Sequence, residues 1–354
     1  MGINSRKVLI VVPPLYILGG VALHYAGLKN YWEGNVEYYQ SFKIVRGANR
    51  MFAKVWLLLD IINFFFIILF KNPDVVVFNL SLKKGFYSRI LYQRVVKILG
   101  KKMVIFIHGW NVDSENMLLT AKGKWMMRQA DGIIVLAQQF KVKLLKYGIN
   151  KKILLTTTKV DDALVGDFNV VSDRDYSGKN ILFVSRIEKE KGIYEVVNTY
   201  ALLKPKYKDL KLTFVGDGTE LGALKECVAE KGLQDVRFTG RLDGMELAKE
   251  YKAANFFFFP SYGEGLPTVV LEAMAFGLPV FSRKVGGLVD FFENDKMGYI
   301  TDSLNPKDFV DAIEPYIKDE NLTRTVSLYN EQYAKVHFMA STVAKFLESY
   351  FKTI

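Results

Sequence analysis

Short apolar runs alternate with longer segments of helical periodicity along most of the 354-residue chain. The runs are continuously apolar rather than alternating, which is typical of strands in a parallel sheet that is covered on both faces. In the first half we predict five strands, at Lys7–Val12, Asp74–Asn79, Met103–Ile107, Gly132–Leu136 and Lys152–Thr156. The segments between them include two with helical character, Gly85–Leu99 and Glu115–Ala130.

A polar segment, Thr157–Lys179, interrupts this rhythm and is interpreted as a linker. The pattern then starts again with predicted strands at Asn180–Ser185, Lys211–Val215, Val236–Thr239, Asn255–Phe259 and Pro279–Ser282. Two strand–helix series predict an α/β protein with two Rossmann-like domains whose parallel sheets face each other across a cleft. We place the domains at residues 1–165 and 166–354, and the last helical stretch, Thr342–Tyr350, is able to pack on either.

One segment is unusually apolar. Val55–Phe70 contains only two polar residues, Asp60 and Asn63. Roughly 20 apolar residues are needed to span a bilayer, so this segment is too short to cross one. We favour a helix of the protein core, and the alternative is a helix that also dips into a membrane interface.

The positive charge is concentrated in the first half of the chain. The net charge is +11, and residues 1–170 contain 24 Lys and Arg against 10 Asp and Glu, so the remainder is slightly acidic. This asymmetry indicates an anionic partner for the first half, either a membrane surface, a phosphorylated acceptor or nucleic acid, although a solvated basic surface would look the same. A single cysteine, Cys227, permits no internal disulfide and indicates a reducing cytoplasm.

The most informative segment runs from Phe256 to Val280 and reads FFFFPSYGEGLPTVVLEAMAFGLPV. An apolar strand ends at Pro260, a glycine-rich loop follows, and we predict Pro267 in the first helical position, where its missing N–H has no consequence. The N–H groups around such a helix start lie beside the positive end of the helix dipole and bind phosphate or sugar hydroxyls. We expect these donors from Gly265, Leu266, Thr268 and Val269.

Two carboxylates accompany this loop. Glu264 precedes the helix and Glu272 lies about a turn and a half into it, so both can face one crevice at the carboxyl edge of the sheet. Two glutamates in this setting resemble the signature of the retaining glycosyltransferases of family 4 (group 1), which have the GT-B fold. The resemblance covers most of residues 180–300 closely and the first half loosely. It implies that Glu264 contacts the donor sugar and that Glu272 binds the ribose; the alternative is a helix cap beside a solvated glutamate.

Further motifs match the same family. Arg186 and Lys191, after the first strand of the second domain, match its diphosphate-binding pair, and His108 stands where the family commonly places a histidine near the transferred sugar. The resemblance implies His108 and Glu264 as catalytic residues. It implies donor binding by Gly19, Gly20, Arg186, Lys191, Gly216, Leu242, Gly265, Leu266, Pro267, Thr268 and Glu272. Turn geometry or solvated loops would explain several of these without a ligand, and we interpret His24 as a packing residue. Thr158–Asp161 departs from the family's Asn-Gly-Val-Asp.

The resemblance implies transfer of a sugar from a nucleoside diphosphate sugar, UDP- or GDP-linked, to an acceptor hydroxyl with retention of configuration, without a metal or other cofactor. Lys83–Lys102, and Lys122–Arg128 around Trp125, interleave basic with apolar residues, which favours an anionic membrane surface. We therefore expect a glycan or lipid-linked acceptor in cell-surface polysaccharide assembly, and a peripheral position on the cytoplasmic side of the plasma membrane. The alternatives are a GT-B-type nucleotide-sugar epimerase, a catalytically silent partner protein and a nucleic-acid-binding protein, for which no module is recognised.

Overall fold

The computed structural model describes residues 6–15, 20–41, 50–80, 86–110, 112–166 and 171–354. It divides the chain into two units, the first formed by Met1–Thr158 and Ala340–Ile354 and the second by Lys159–Met339. The chain therefore leaves the first unit after Thr158 and returns to it for the last helix. The sequence-predicted boundary at residues 165 and 166 falls a few residues inside the second unit.

Each unit is built on a six-stranded sheet in which all neighbouring strands are parallel. In the first unit the spatial order is β2-β1-β3-β4-β5-β6, and in the second it is β12-β11-β10-β7-β8-β9. The first six strands are β1 (Val8–Val12), β2 (Val36–Gln40), β3 (Val75–Leu80), β4 (Lys102–Ile107), β5 (Gly132–Val135) and β6 (Lys152–Leu155). The second six are β7 (Asn180–Val184), β8 (Lys211–Val215), β9 (Val236–Gly240), β10 (Phe256–Phe259), β11 (Val280–Arg283) and β12 (Gly298–Thr301). The predicted α/β class with parallel sheets is confirmed.

Helices cover both faces of these sheets. Those of the first unit are α1 (Gly20–Leu28), α2 (Arg50–Lys71), α3 (Phe86–Ile98), α4 (Val112–Leu119), α5 (Ala121–Gln129), α6 (Gln138–Lys146) and, from the end of the chain, α14 (Ala340–Lys352). Those of the second are α7 (Asp162–Val165), α8 (Ile193–Leu203), α9 (Leu221–Glu230), α10 (Gly244–Ala253), α11 (Thr268–Ala275), α12 (Pro306–Lys318) and α13 (Glu320–His337). The predicted helix Glu115–Ala130 is two helices, because Thr120 accepts the N–H of Gly123 at 3.0 Å and caps a new start.

Burial on both faces explains why the central strands are continuously apolar. In β1, Leu9 and Val11 belong to the core beneath α2, α3, α5 and α6, whereas the equally buried Ile10 points to the opposite face. The two strands missed from the sequence, β2 and β12, are edge strands that pair on one side only. They are also less buried than the central strands, since most of β2 and every second residue of β12 are only partly buried, and their sequences carry a weaker apolar signal.

Two sequence interpretations are corrected. The predicted linker Thr157–Lys179 contains α7, and its Arg174 is buried in the second unit, where the guanidinium donates to the carbonyls of Ala254 and Phe276. The predicted core helix Val55–Phe70 is the central part of α2, and most of its large apolar side chains are exposed rather than buried. Among the side chains of this helix that the structure describes, only Phe64 and Ile68 are fully buried against the sheet.

Candidate donor site in the second unit

The strand order of the second sheet reverses between β7 and β10, which are neighbours in space. The chain leaves β7 into the loop Ser185–Gly192 and leaves β10 into the loop Pro260–Pro267. Because the two connections diverge from adjacent strand ends, a crevice opens at this edge, and ligands of open α/β sheets bind at such a point. The sequence-predicted residues Lys191 and Glu264 lie on these two loops.

A salt bridge joins the loops across the reversal point. Lys191 Nζ lies 2.6 Å from Glu264 Oε1, and both side chains are largely buried. Ser261 donates from Oγ to the same carboxylate oxygen at 2.8 Å. Backbone contacts hold the loops together as well, since the N–H of Tyr262 donates to the carbonyl of Glu190 at 2.9 Å. Lys191 keeps two further N–H donors for a ligand, because an ammonium group has three.

Glu272 lies on α11 against the protein interior. Tyr251, fully buried on α10, donates from its hydroxyl to Glu272 Oε2 at 2.9 Å. Burial raises the pKa of Glu272 to about 7; the Tyr251 hydrogen bond and the charge of Lys159 oppose that shift, and Asp161 reinforces it. A carboxylate held in this way has an unusually strong tendency to take up a proton or a hydroxyl hydrogen bond.

Lys159 and Asp161 belong to the stretch that departs from the family pattern. The N–H of Val160 donates to the carbonyl of Phe338 at 2.7 Å, and this pairing fixes the stretch in the second unit. Lys159 is 9% exposed and lies 3.9 Å from Asp161. Lys159, in the stretch that departs from the family pattern, is therefore a buried cation close enough to lower the pKa of Glu272.

The start of α11 is set by glycines on a neighbouring loop. Pro267 is the N-cap of α11 rather than its first residue, which corrects the predicted position by one residue. Gly286 has a φ of +51°, and a Cβ there would lie 1.9 Å from the carbonyl oxygen of Gly265. The next N–H, of Gly287, donates to that same carbonyl at 2.7 Å. The loop that carries Glu264 is therefore clamped by a position that only glycine can occupy.

Gly216, Leu242 and Arg186, three further predicted donor residues, follow strands of the same sheet. Gly216, after β8, has a φ of +143°, and a Cβ there would meet the carbonyl of Ser185 at 1.8 Å. Its N–H donates to Gly240 at 2.8 Å, which brings the loop before Leu242 beside it. Arg186 is 68% exposed and 3.9 Å from Glu188, so its guanidinium stands at the surface rather than in the Lys191–Glu264 pair.

In the first unit, His108 follows β4 and belongs to a hydrogen-bonded group. Asn79 donates from Nδ2 to the carbonyl of Val11 at 2.9 Å, so its Oδ1 faces Tyr25 and His108. The Tyr25 hydroxyl donates to that oxygen at 2.9 Å, and His108 Nε2 lies 2.7 Å from it. His108 must therefore donate from Nε2, and burial lowers its pKa to about 3, which leaves a neutral ring with Nδ1 as an acceptor.

Two more sequence predictions concern this unit. His24 is 3% exposed and makes edge contacts with the rings of Tyr25 and Phe106, as expected of a packing residue. Gly20 is the exposed first residue of α1, whereas Gly19 lies outside the described residues. Lys83 and Lys84 of the predicted basic helix also lie outside them.

Sequence reasoning missed four residues of the candidate site. Ser261 stands three residues before Glu264, inside the segment that the sequence analysis singled out. Gly286 and Gly287 follow β11 after two intervening residues and give the same signal as Gly19-Gly20, a glycine pair after a strand. Tyr251 carried no signal, because an aromatic residue on the apolar side of an amphipathic helix is typical of any core.

The fold places the protein in a known class. The crystal structure of Anabaena HepE in complex with UDP and glucose matches with a TM-score of 0.74 at 15% identity, covering 99% of this chain and 100% of that chain. Two α/β units with parallel six-stranded sheets, shared with such structures, define the GT-B fold. No described helix has the length and apolar content that crossing a membrane requires. Nor do the described ranges contain a group of three or more His, Cys, Asp or Glu side chains suited to a metal ion.

The sequence comparisons concern mainly the second unit. Residues 170–333 match the family model of the glycosyl transferases group 1. The capsular polysaccharide biosynthesis glycosyltransferase CapM of Staphylococcus aureus is 26% identical over 227 residues, 62% of this chain and 57% of CapM. A D-inositol 3-phosphate glycosyltransferase of Paenarthrobacter aurescens is 31% identical over 177 residues, 48% of this chain and 43% of that protein. The chain spans about half the length of the curated relatives it matches. These matches show a likeness of the second unit to the group 1 glycosyltransferases.

Proposed function

We propose that the protein is a retaining glycosyltransferase that takes its sugar from a nucleoside diphosphate sugar bound at the carboxyl edge of the second sheet. The observation that carries this proposal is the joining of Lys191 and Glu264 at 2.6 Å across the β7–β10 reversal point, with Glu272 on the helix that follows. This arrangement lies within the segment that matches the group 1 family. HepE, which shares the fold, has been crystallised with UDP and UDP-glucose, which favours a UDP-sugar as the donor.

Each group has a definite part in the reaction. Glu272 accepts hydrogen bonds from the ribose hydroxyls, Glu264 holds hydroxyls of the sugar, and Lys191, Arg186 and the N-terminus of α11 neutralise the diphosphate. The bond between the anomeric carbon and the diphosphate oxygen breaks while the acceptor oxygen attacks from the same face. The acceptor proton passes to the departing diphosphate oxygen, so no base is consumed. No metal or further cofactor enters this scheme, because the cationic side chains carry the charge of the leaving group.

His108 completes the proposed catalytic set. A neutral imidazole with its Nε2–H held by Asn79 presents Nδ1 as a fixed acceptor, which suits a sugar hydroxyl better than a phosphate. The role therefore requires position rather than charge. Gly19, Gly20, Gly216, Leu242, Gly265, Leu266, Pro267 and Thr268 line the nucleotide and diphosphate in this proposal.

The acceptor is proposed to be a glycan or a lipid-linked precursor in cell-surface polysaccharide assembly. CapM and the amylovoran biosynthesis glycosyltransferase AmsK of Erwinia amylovora, both 26% identical where they match, carry polysaccharide synthesis in their names. The excess of basic residues in the first half of the chain fits an anionic membrane surface as a partner. The protein would then act as a peripheral enzyme on the cytoplasmic side of the plasma membrane.

The experiment is thermal unfolding of the purified protein with UDP, GDP, ADP and dTDP in turn. A ligand that binds only the folded state stabilises it by about 2.7 kcal/mol at a hundred times its dissociation constant, so the bound nucleotide raises Tm. UDP is expected to raise it, and Glu272→Ala is expected to abolish the rise. Transfer from the matching sugar nucleotide to a lipid extract then tests the reaction. Absence of a rise with all four nucleotides would refute the donor site.

A further inference from the structure

The outer side of α2 is apolar along its whole length. Nine large apolar side chains of this 22-residue helix are more than two-fifths exposed. They recur at helical spacing and form one stripe, called here the α2 face, made up of Phe52, Val55, Trp56, Leu58, Leu59, Ile62, Phe66, Leu69 and Phe70. Monomeric soluble proteins rarely expose a continuous apolar patch of this size, so the α2 face indicates a contact surface.

The helices beside α2 are basic. Phe64 of α2, Val96 of α3, Met126 of α5 and Phe140 of α6 lie in one buried cluster, so these four helices cover the same face of the first sheet. Together they contain a single acidic residue. Their basic residues are Arg50, Lys54, Lys71, Arg89, Arg94, Lys97, Lys122, Lys124, Arg128, Lys141, Lys143 and Lys146.

The one acidic residue does not offset these charges at the surface. Asp60 of α2 accepts hydrogen bonds from the hydroxyls of Tyr39, at 2.6 Å, and Tyr92, so its carboxylate faces the protein. Three of the lysines pair with carboxylates outside the four helices: Lys71 with Glu37, Lys97 with Asp131 at 2.7 Å and Lys143 with Glu115 at 2.7 Å. Arg89 is turned inward and donates to the carbonyl of Asn79. The headgroup-facing charge therefore comes from the other basic residues of α3, α5 and α6. In the second unit, by contrast, each helix from α8 to α13 contains at least one acidic residue. The basic character is therefore a property of this one helical layer.

We infer that the α2 face inserts into the interface of an anionic lipid bilayer while the basic residues of α3, α5 and α6 contact the lipid headgroups. An apolar stripe flanked by cations and free of exposed carboxylates is what an interfacial helix requires. The exposed residues run from one end of α2 to the other, so the helix lies along the surface rather than across it. Trp125 of α5, with Arg94 5.8 Å from its ring, extends the same surface to the headgroup level.

A second copy of this chain fits the surface less well. Docking two α2 faces would bring the two basic helical layers together, and like charges desolvated at an interface cost several kcal/mol. A nucleic acid would use the cations but leave the apolar stripe in water. Lipid satisfies both features at once. This inference deepens the proposed membrane partner and depends on the proposed location of the enzyme, not on its donor chemistry.

The test is sedimentation of the full-length protein with phosphatidylcholine vesicles, with or without about one third phosphatidylglycerol. The wild type is expected to pellet with the anionic vesicles at low salt and to be released at high salt. Removing the α2 face is expected to reduce binding by about tenfold or more, since each buried apolar side chain contributes that much. The variant combines Leu59→Ser, Ile62→Ser and Phe66→Ser. The matched control removes three exposed apolar side chains of the second unit by Leu202→Ser, Met245→Ser and Val336→Ser.

A second variant tests the charges. Arg94→Gln, Arg128→Gln and Lys146→Gln are expected to weaken binding by about fivefold each and to flatten its salt dependence. All substituted side chains are exposed, so Tm should be unchanged, and the UDP-induced rise in Tm should persist in every variant. Loss of the UDP response with vesicle binding intact would count against the donor site alone.

Three results would overturn the inference. In the first, the wild type does not bind anionic vesicles but forms a dimer, and the α2 variant is monomeric. The α2 face would then be the contact with a second copy. In the second, the wild type is monomeric and does not bind vesicles. The α2 face would then be the contact surface for another protein. Equal vesicle binding by the α2 variant and its control would also refute it.

Discussion

Replacing Glu272 by glutamine separates stability from ligand binding. Burial raises the pKa of Glu272 from 4.5 to about 7. A raised pKa means that the folded protein binds this proton more tightly than the unfolded chain does. The contribution of protonated Glu272 to the free energy of unfolding is complete below about pH 4.5 and is lost as the pH rises through about 7. Over that range the ionised carboxylate costs the fold about 3 kcal/mol, an order-of-magnitude figure from 1.36 kcal/mol per unit.

Glutamine has the same shape and no charge, and its amide oxygen can still accept the hydroxyl of Tyr251. Glu272→Gln is therefore expected to match the wild type near about pH 5 and to exceed its stability near about pH 8 by up to about 3 kcal/mol. If the second unit, Lys159–Met339, unfolds on its own, the gain corresponds to a Tm about 8 °C higher. UDP binding should respond in the opposite sense: in the wild type it strengthens as the pH rises through about 7, and in the variant it is weak throughout.

The measurement is Tm with and without UDP, in steps from about pH 5 to about pH 8. Glu230→Gln, an exposed glutamate at the end of α9, is the matched control and should alter neither curve. The reasoning would be refuted by a Glu272→Gln variant that is no more stable than the wild type at the alkaline end. If the variant gains stability and still binds UDP as tightly as the wild type, the raised pKa of Glu272 is supported, but its role in nucleotide binding is refuted.

Three further predictions concern other parts of the site. Lys191→Met leaves Glu264 without its cation and removes a positive charge that neutralises the diphosphate, so transfer should fall at least about a hundredfold in a donor-turnover assay. Undiminished turnover would exclude a role of Lys191 in diphosphate binding. Gly286→Ala forces a side chain onto a backbone carbonyl at positive φ. It should lower the free energy of unfolding, measured by chemical denaturation, by more than about 2 kcal/mol and abolish the UDP-induced rise in Tm. Gly222→Ala, in open space on α9, should not lower the free energy of unfolding. His108→Ala should lower transfer about tenfold through the loss of one hydrogen bond, without changing the UDP response. Because the pKa of His108 is lowered to about 3, its protonation should not shape the rate between about pH 5 and pH 8, and a His108-dependent step there would contradict the neutral assignment.

Much of the donor site could be predicted because its parts are consecutive in sequence. Glu264, Pro267 and Glu272 lie in one loop and the helix after it, so the sequence alone predicts that all three follow the same strand, β10. Lys191 required one more step, that parallel strands bring their carboxyl ends to the same edge. The pairing of Lys191 with Glu264 and the support of their loops by Gly286 depend on which strands are neighbours, and the β7–β10 adjacency is a property of the finished sheet.

The sequence by itself determined the fold class, since continuous apolar runs separated by helices can be satisfied only by parallel sheets covered on both sides. It also predicted where to look for the chemistry, because glycine, proline and carboxylate at fixed spacing have few structural uses. Only the tertiary structure decided that Glu272 is buried against Tyr251, and this burial raises the pKa of the carboxyl group. It also decided that the apolar stripe of α2 faces outward, because a helix with such a stripe has the same local sequence pattern whether the stripe faces the core or the surface. Local sequence specifies what a segment requires, and the packing of distant segments determines what surrounds it.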